Sequence, residues 1–135
     1  MIVVDTNVIA YLWLPGPDTP LAEHLLRTDA EWCAPLLWRS EFRSVLAGLV
    51  RRESLSIDAA LRTASDVERQ MSGHEYAVPS DRVLRAAADS GCSAYDCEFV
   101  VLATLLSVPF VTADRQVLRA FPDLAVSLAD AVNER

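Results

Sequence analysis

Lysine is missing from this sequence, and all 12 basic residues are arginine. That excludes mechanisms built on a lysine amine: P-loop phosphate binding, Schiff-base chemistry and Ser-Lys hydrolysis. Histidine occurs only as His24 and His74, far apart and outside any motif, so nothing supports a Ser-His-Asp or Cys-His site. The three cysteines, Cys33, Cys92 and Cys97, lack the paired spacing of a zinc site. With no secretory signal in view they point to a reduced, cytoplasmic compartment. No apolar run reaches the ~18 residues of a membrane helix. The longest, residues 99–113, is broken by Pro109, and the apolar start contains Asp5 and Asn7 with no basic segment, unlike a secretory signal. Repeats, low-complexity tracts and long linkers are also absent.

What is present is 135 residues, 52% of them hydrophobic. That suits one domain, residues 1–135, with a sizeable core. The net charge of −7, from 19 acidic against 12 basic residues, argues against holding nucleic acid by bulk charge. It leaves room for a local site bridged by metal.

Apolar patterning alternates strands with helices. Ile2-Val3-Val4 is a β-branched run that ends at Asp5 and reads as a buried strand. Residues 6–14 can be helical and stop before Pro15-Gly16-Pro17. Asp18 or Thr19 can cap a second helix, with Pro20 in its first turn, running to about residue 29. A weak strand over 31–34 precedes a helix from Pro35 to about Arg52. Ser56 caps a helix over about 57–72, stopped by Gly73. Residues 75–78 read as a strand, and Pro79 begins a helix that ends near Gly91. Ser93, with Asp96 three residues on, opens a helix to about Leu106 in the manner of a capping box. Residues 108–112 form a strand interrupted early by Pro109, 115–120 a short helix and 124–127 an edge strand. Continuously apolar strands between helices predict an α/β fold with a parallel sheet covered on both faces. In such sheets, sites lie beyond the carboxyl ends of the strands.

Asp5 follows a strand directly, and Asp114 stands at the end of another. Each can cap the next helix, or the two can bridge a metal if their strands are neighbours. At ~100° per residue, Trp38, Phe42, Val45 and Leu49 form a stripe, with Glu41 about 60° from its centre. A carboxylate there is costly unless paired with Arg39, Arg43 or another arginine, or bound to metal. Asp96 shares a face with Phe99, Val100, Ala103 and Ser107 and points to the core side. Glu98 falls about 160° away, toward solvent, and is not counted as a ligand. Together Asp5, Glu41, Asp96 and Asp114 can reach one end of a single sheet. Without cations they would repel, and some would stay protonated. An oxygen-only set suits Mg2+ or Mn2+, and such a cluster can activate water and stabilise a phosphodiester transition state.

Ile2-Val3-Val4-Asp5-Thr6-Asn7, a mid-helix Glu41, Ser93-Ala94-Tyr95-Asp96 opening a helix, and Phe110-Val111-Thr112-Ala113-Asp114-Arg115 occur in that order across the chain. This pattern resembles the PIN-domain nucleases, in spacing most of all the VapC-type toxins of toxin–antitoxin pairs. The resemblance implies a three-layer α/β/α sandwich with a central parallel sheet, and a Mg2+- or Mn2+-dependent endoribonuclease that leaves 5′-phosphate and 3′-hydroxyl ends. It implies that Asp5, Glu41, Asp96 and Asp114 are the catalytic, metal-holding residues. Asn7 and Thr112 would orient Asp5 and Asp114 by hydrogen bonds, and Arg115 would contact phosphate or pair with an acid. Arg39 and Arg43 also stand near the proposed site in sequence. An RNA substrate, a small antitoxin and a homodimer are implied as partners, with Trp13, Leu14, Leu37 and Trp38 as candidates for the antitoxin surface or for the core.

Rival readings fare worse. Asp-nucleophile phosphatases need a second Asp where Asn7 stands, and they use a lysine. A phospho-receiver module also uses a lysine and has no role for Glu41. The remaining alternative is a PIN module without catalysis that binds RNA or a protein.

Overall fold

A computed structural model describes residues 1–133. The elements run β1 (Ile2–Val4), α1 (Thr6–Trp13), α2 (Thr19–Thr28), β2 (Trp32–Pro35), α3 (Leu37–Arg51), α4 (Ile57–Met71), β3 (Glu75–Tyr76), α5 (Ser80–Ser90), α6 (Ala94–Leu106), β4 (Phe110–Val111), α7 (Arg115–Ala120), β5 (Ala125–Val126) and α8 (Leu128–Asn133). The strands pair in the order β3-β2-β1-β4-β5, all parallel. From β1 the chain moves outward through β2 to β3, then returns across the sheet to β4 and β5. The order therefore reverses between β1 and β4, where open parallel sheets bind their ligands.

Two helical layers cover the sheet. α3 and α4 pack on β2 and on each other, with α1 against both. On the return crossover α5 packs on α6, and α6 lies across β2, β1 and β4. This is the expected α/β/α sandwich. α6 is apolar almost all round: Cys97 and Phe99 to Ala103 are buried, and Phe99 stacks on Phe110 of β4 at 5.6 Å between ring centroids. Such a helix can only be central.

Several local expectations change. β4 covers just Phe110–Val111, because Pro109 has no N–H to give; its carbonyl still accepts from the Val3 N–H at 3.0 Å. Ser107 takes the left-handed C-cap position (φ 57°) and is exposed, so it does not continue the Asp96 face. On α3 the buried stripe is Trp38, Phe42 and Leu46, with Val45 and Leu49 only half-buried. α8, which the patterning did not suggest, buries Leu128, Ala131 and Val132 and packs on α2.

Arg39 is spent on the fold. Its guanidinium donates to both oxygens of Glu75 (2.6 and 2.8 Å) and to Glu68 Oε1 (3.0 Å). The Trp38 indole N–H donates to Glu75 Oε1, which also accepts from Arg39 Nε, at 2.7 Å. This clasp ties the start of α3 to β3 and α4, and the Arg39 hydrogen bonds hold the Glu75 carboxyl below its ordinary pKa. Arg39 is therefore not free for phosphate. Trp38, only 1% exposed, belongs to the core and offers no partner surface.

Candidate active site

The four acids arrive from four elements. Asp5 is the first residue past β1, and its backbone N–H donates to the Val111 carbonyl of β4 at 2.9 Å. This ladder bond sets the ends of the two strands side by side. Asp114 follows β4 and caps α7, accepting from the Val117 N–H at 3.0 Å. Glu41 stands in the second turn of α3, half-buried beside the Trp38–Phe42–Leu46 stripe. Asp96 lies in the first turn of α6, whose start is capped by Ser93 Oγ accepting from the Asp96 N–H at 3.0 Å.

All four line one cavity of about 390 Å³, whose wall is completed by Thr6, Asn7, Ser44 and Val45. No arginine or histidine is among these residues. Two threonine hydroxyls tether acids of the site. Thr112, fully buried, donates to Asp5 Oδ2 at 2.7 Å and accepts from the Asp114 N–H at 3.1 Å, so one hydroxyl holds both strand-end acids. Thr6, also buried, donates to Glu41 Oε1 at 2.7 Å.

Burial pushes the Asp5 carboxyl above its ordinary pKa; the Thr112 hydroxyl and the Asn7 backbone N–H pull it back, and the charge of Asp96 raises it again. Burial raises Glu41 too, eased by Thr6 and reinforced by the charges of Asp5, Asp96 and Glu98. Asp96 is raised by burial, then by Asp114, with Ser93 opposing. The cavity thus concentrates negative charge with no protein cation on its wall.

The sign of the pH dependence follows. The folded chain keeps these protons to higher pH than the unfolded chain, so stability is lost as pH rises from the ordinary carboxylate range through the raised values. Glu75 acts oppositely, but only as pH falls below the ordinary range. In EDTA the melting temperature is therefore expected to be higher at about pH 5 than at about pH 7.5. A melting temperature that climbs between those two values contradicts the electrostatics described here.

Hard oxygen donors and unbalanced negative charge fit Mg2+ or Mn2+ in chemistry. Among the described residues, no three acid, imidazole or thiol groups are already gathered as a finished metal cage. The acids stand around the cavity wall.

A family model for the PIN domain matches residues 2–124. The chain belongs to the PIN domain family. In fold it is similar to PAE2754 from Pyrobaculum aerophilum, with a TM-score of 0.78 at 20% identity over 98% of this chain and 94% of that one. It is also similar to FitAcB from Neisseria gonorrhoeae (TM-score 0.70, 20% identity, 94% and 96% covered). A third neighbour is a toxin–antitoxin complex from Klebsiella pneumoniae (TM-score 0.68, 14% identity, 95% and 98% covered). No curated protein matches the chain significantly.

In this PIN domain the four acids line one cavity without being gathered into a cage. Asn7 hydrogen-bonds Asp5 through its backbone N–H, and the residue is exposed and lines the cavity. Glu98 is not in open solvent. It is half-buried, lines a neighbouring pocket with Val78, Val83 and Leu84, and its charge reaches Glu41. Arg43 and Arg115 are exposed and outside the cavity wall. Thr6 and Ser44 were not anticipated. Thr6 at the first position of α1 looks like ordinary helix-start chemistry, and Ser44 is marked only by its place one turn after Glu41.

Proposed function

We propose that this PIN domain is a metal-dependent endoribonuclease and the toxin of a VapC-type toxin–antitoxin pair. The observation that carries it is that Asp5, Glu41, Asp96 and Asp114 line one cavity at the reversal point of the sheet. These four carboxylates would hold Mg2+ or Mn2+, which when bound supplies an activated water and charge stabilisation for phosphodiester hydrolysis. Thr112 keeps Asp5 and Asp114 in place, and Thr6 keeps Glu41 in place. Glu41 and Asp96, on helices at the cavity wall, are the carboxylates we assign to take up the proton released in hydrolysis. Arg115, next to Asp114, and Arg43, two residues after Glu41, are the exposed cations nearest in sequence for flanking phosphates.

The neighbours include a toxin–antitoxin complex, and the surface here offers a place for an antitoxin segment. A groove of about 350 Å³ between α3 and α4 is lined by Leu46, Val50, Ile57 and Leu61, together with Arg43 and Arg51. Ile57 and Leu61 are 58% and 60% exposed. In a chain of net charge −7, this arginine-flanked apolar groove suits an apolar segment with acidic flanks. It replaces Trp38 as the candidate antitoxin surface. No helix among the described residues is long and apolar enough to cross a membrane.

The test is cleavage of RNA by the purified protein with Mg2+ or Mn2+, abolished by EDTA and restored by added metal. Induced expression should arrest growth and be rescued by the antitoxin. RNA binding without metal-dependent cleavage would instead establish the non-catalytic module.

A further inference from the structure

The acid cavity holds an unexplained asymmetry. Its acceptors are many, and its free donors are few. Thr6 gives its hydroxyl proton to Glu41, and Val45 has none to give. Among the described residues, that leaves two uncharged polar side chains on the wall without a hydrogen-bond partner: Asn7 in the first turn of α1 and Ser44 on α3. Both are exposed. They sit on helices packed against each other, and Ser44 is one turn beyond Glu41, on the same side of α3.

A phosphodiester entering this cavity brings non-bridging oxygens, and those that a bound cation would not meet need hydrogen-bond donors. Carboxylates cannot provide them, and no arginine lines the wall. From this we infer that Ser44 and Asn7 are the substrate-contacting donors of the site, their hydroxyl and amide N–H groups holding a non-bridging oxygen of the RNA backbone. The inference rests on the nuclease reading above. Neutral donors suit the position: they bind phosphate without forming ion pairs that would compete for the four acids. They also read no base, so they place the backbone without selecting sequence.

The experiment uses the full chain and a fluorescein-labelled oligoribonucleotide that the wild type cleaves with Mn2+. Ser44→Ala is safe for the fold, because alanine is the better helix former at an exposed helical position. Ser44→Ala is expected to raise KM about tenfold with kcat nearly unchanged, as loss of one hydrogen bond to a charged group would do. Ser44→Thr, which keeps a hydroxyl, should restore KM. Asn7→Ala should act in the same direction, and adding it to Ser44→Ala should weaken binding further. Mn2+ affinity, measured by calorimetry without RNA, should match the wild type in Ser44→Ala. An unchanged KM in Ser44→Ala overturns the inference, as does a fall in Mn2+ affinity, which would mean Ser44 acts through the acids. If the wild type cleaves no RNA, the nuclease reading falls first and this one with it; cleavage abolished by Asp96→Asn but indifferent to Ser44→Ala overturns only the present inference.

Discussion

Asp96→Asn is expected to lower RNA cleavage by about 10³-fold while leaving the chain folded. The fold should survive because the N–H of residue 96 still donates to Ser93 Oγ, and the asparagine side-chain oxygen can still accept from Ser93 in place of the carboxylate. Asparagine is close in volume to aspartate. Its neutral amide also removes the charge that raises the Asp5 and Glu41 carboxyls. In EDTA at about pH 7.5 the melting temperature should therefore equal or exceed that of the wild type. Activity should collapse because the cavity loses one of the four charges that would hold a divalent cation, and one of two candidates for the proton. Metal-dependent cleavage retained in a clean preparation of this variant would remove Asp96 from the site. A variant that melts well below the wild type would show that the carboxylate supports the fold.

Thr112→Val carries the second large effect, and here fold and activity should fall together. The hydroxyl is fully buried and holds both Asp5 Oδ2 and the Asp114 N–H. Valine matches the shape and removes the oxygen. Asp5 loses its side-chain donor in a buried setting and the Asp114 N–H loses its acceptor, so about 1–3 kcal/mol of stability should go. Cleavage should fall about 10- to 100-fold, the usual cost of losing a group that orients a metal-binding carboxylate. Thr112→Ser keeps the hydroxyl and should recover most of both. Urea unfolding beside cleavage rates decides the matter: wild-type rates in Thr112→Val would show that Asp5 needs no such tether.

How much of this was legible in the sequence varies residue by residue. Asp5 and Asp114 were readable because each stands just past a short apolar strand, and a carboxylate at the carboxyl end of a parallel strand has few places to go. Asp96 was readable from Ser93 three residues before it. Glu41 was visible as a charge beside an apolar stripe, but the sequence left its partner open. Arg39 was an equal candidate on spacing, and the structure gives Arg39 to Glu75, 36 residues away, and Glu41 to Thr6, 35 residues away. Such choices depend on which helix faces which, and no local pattern encodes that. Glu98 shows the same limit. Its helical angle pointed away from the Asp96 face, yet α5 packs on α6 and half-buries it.

The sequence by itself determined most of the elements (α8 excepted), their alternation, the absence of lysine chemistry, and a set of acids near the ends of apolar segments. Those are local properties, decided by periodicity, capping and side-chain type within a few residues. Only the tertiary structure decided that β1 and β4 are neighbours. That pairing places Asp5 beside Thr112 and Asp114, across more than a hundred residues of chain. It likewise turned the overall charge of −7 into something specific: an acid-lined cavity without a cation, apart from an arginine-flanked apolar groove. A hydrogen bond or a repulsion depends on distance, and distance between remote segments exists only once the chain has folded.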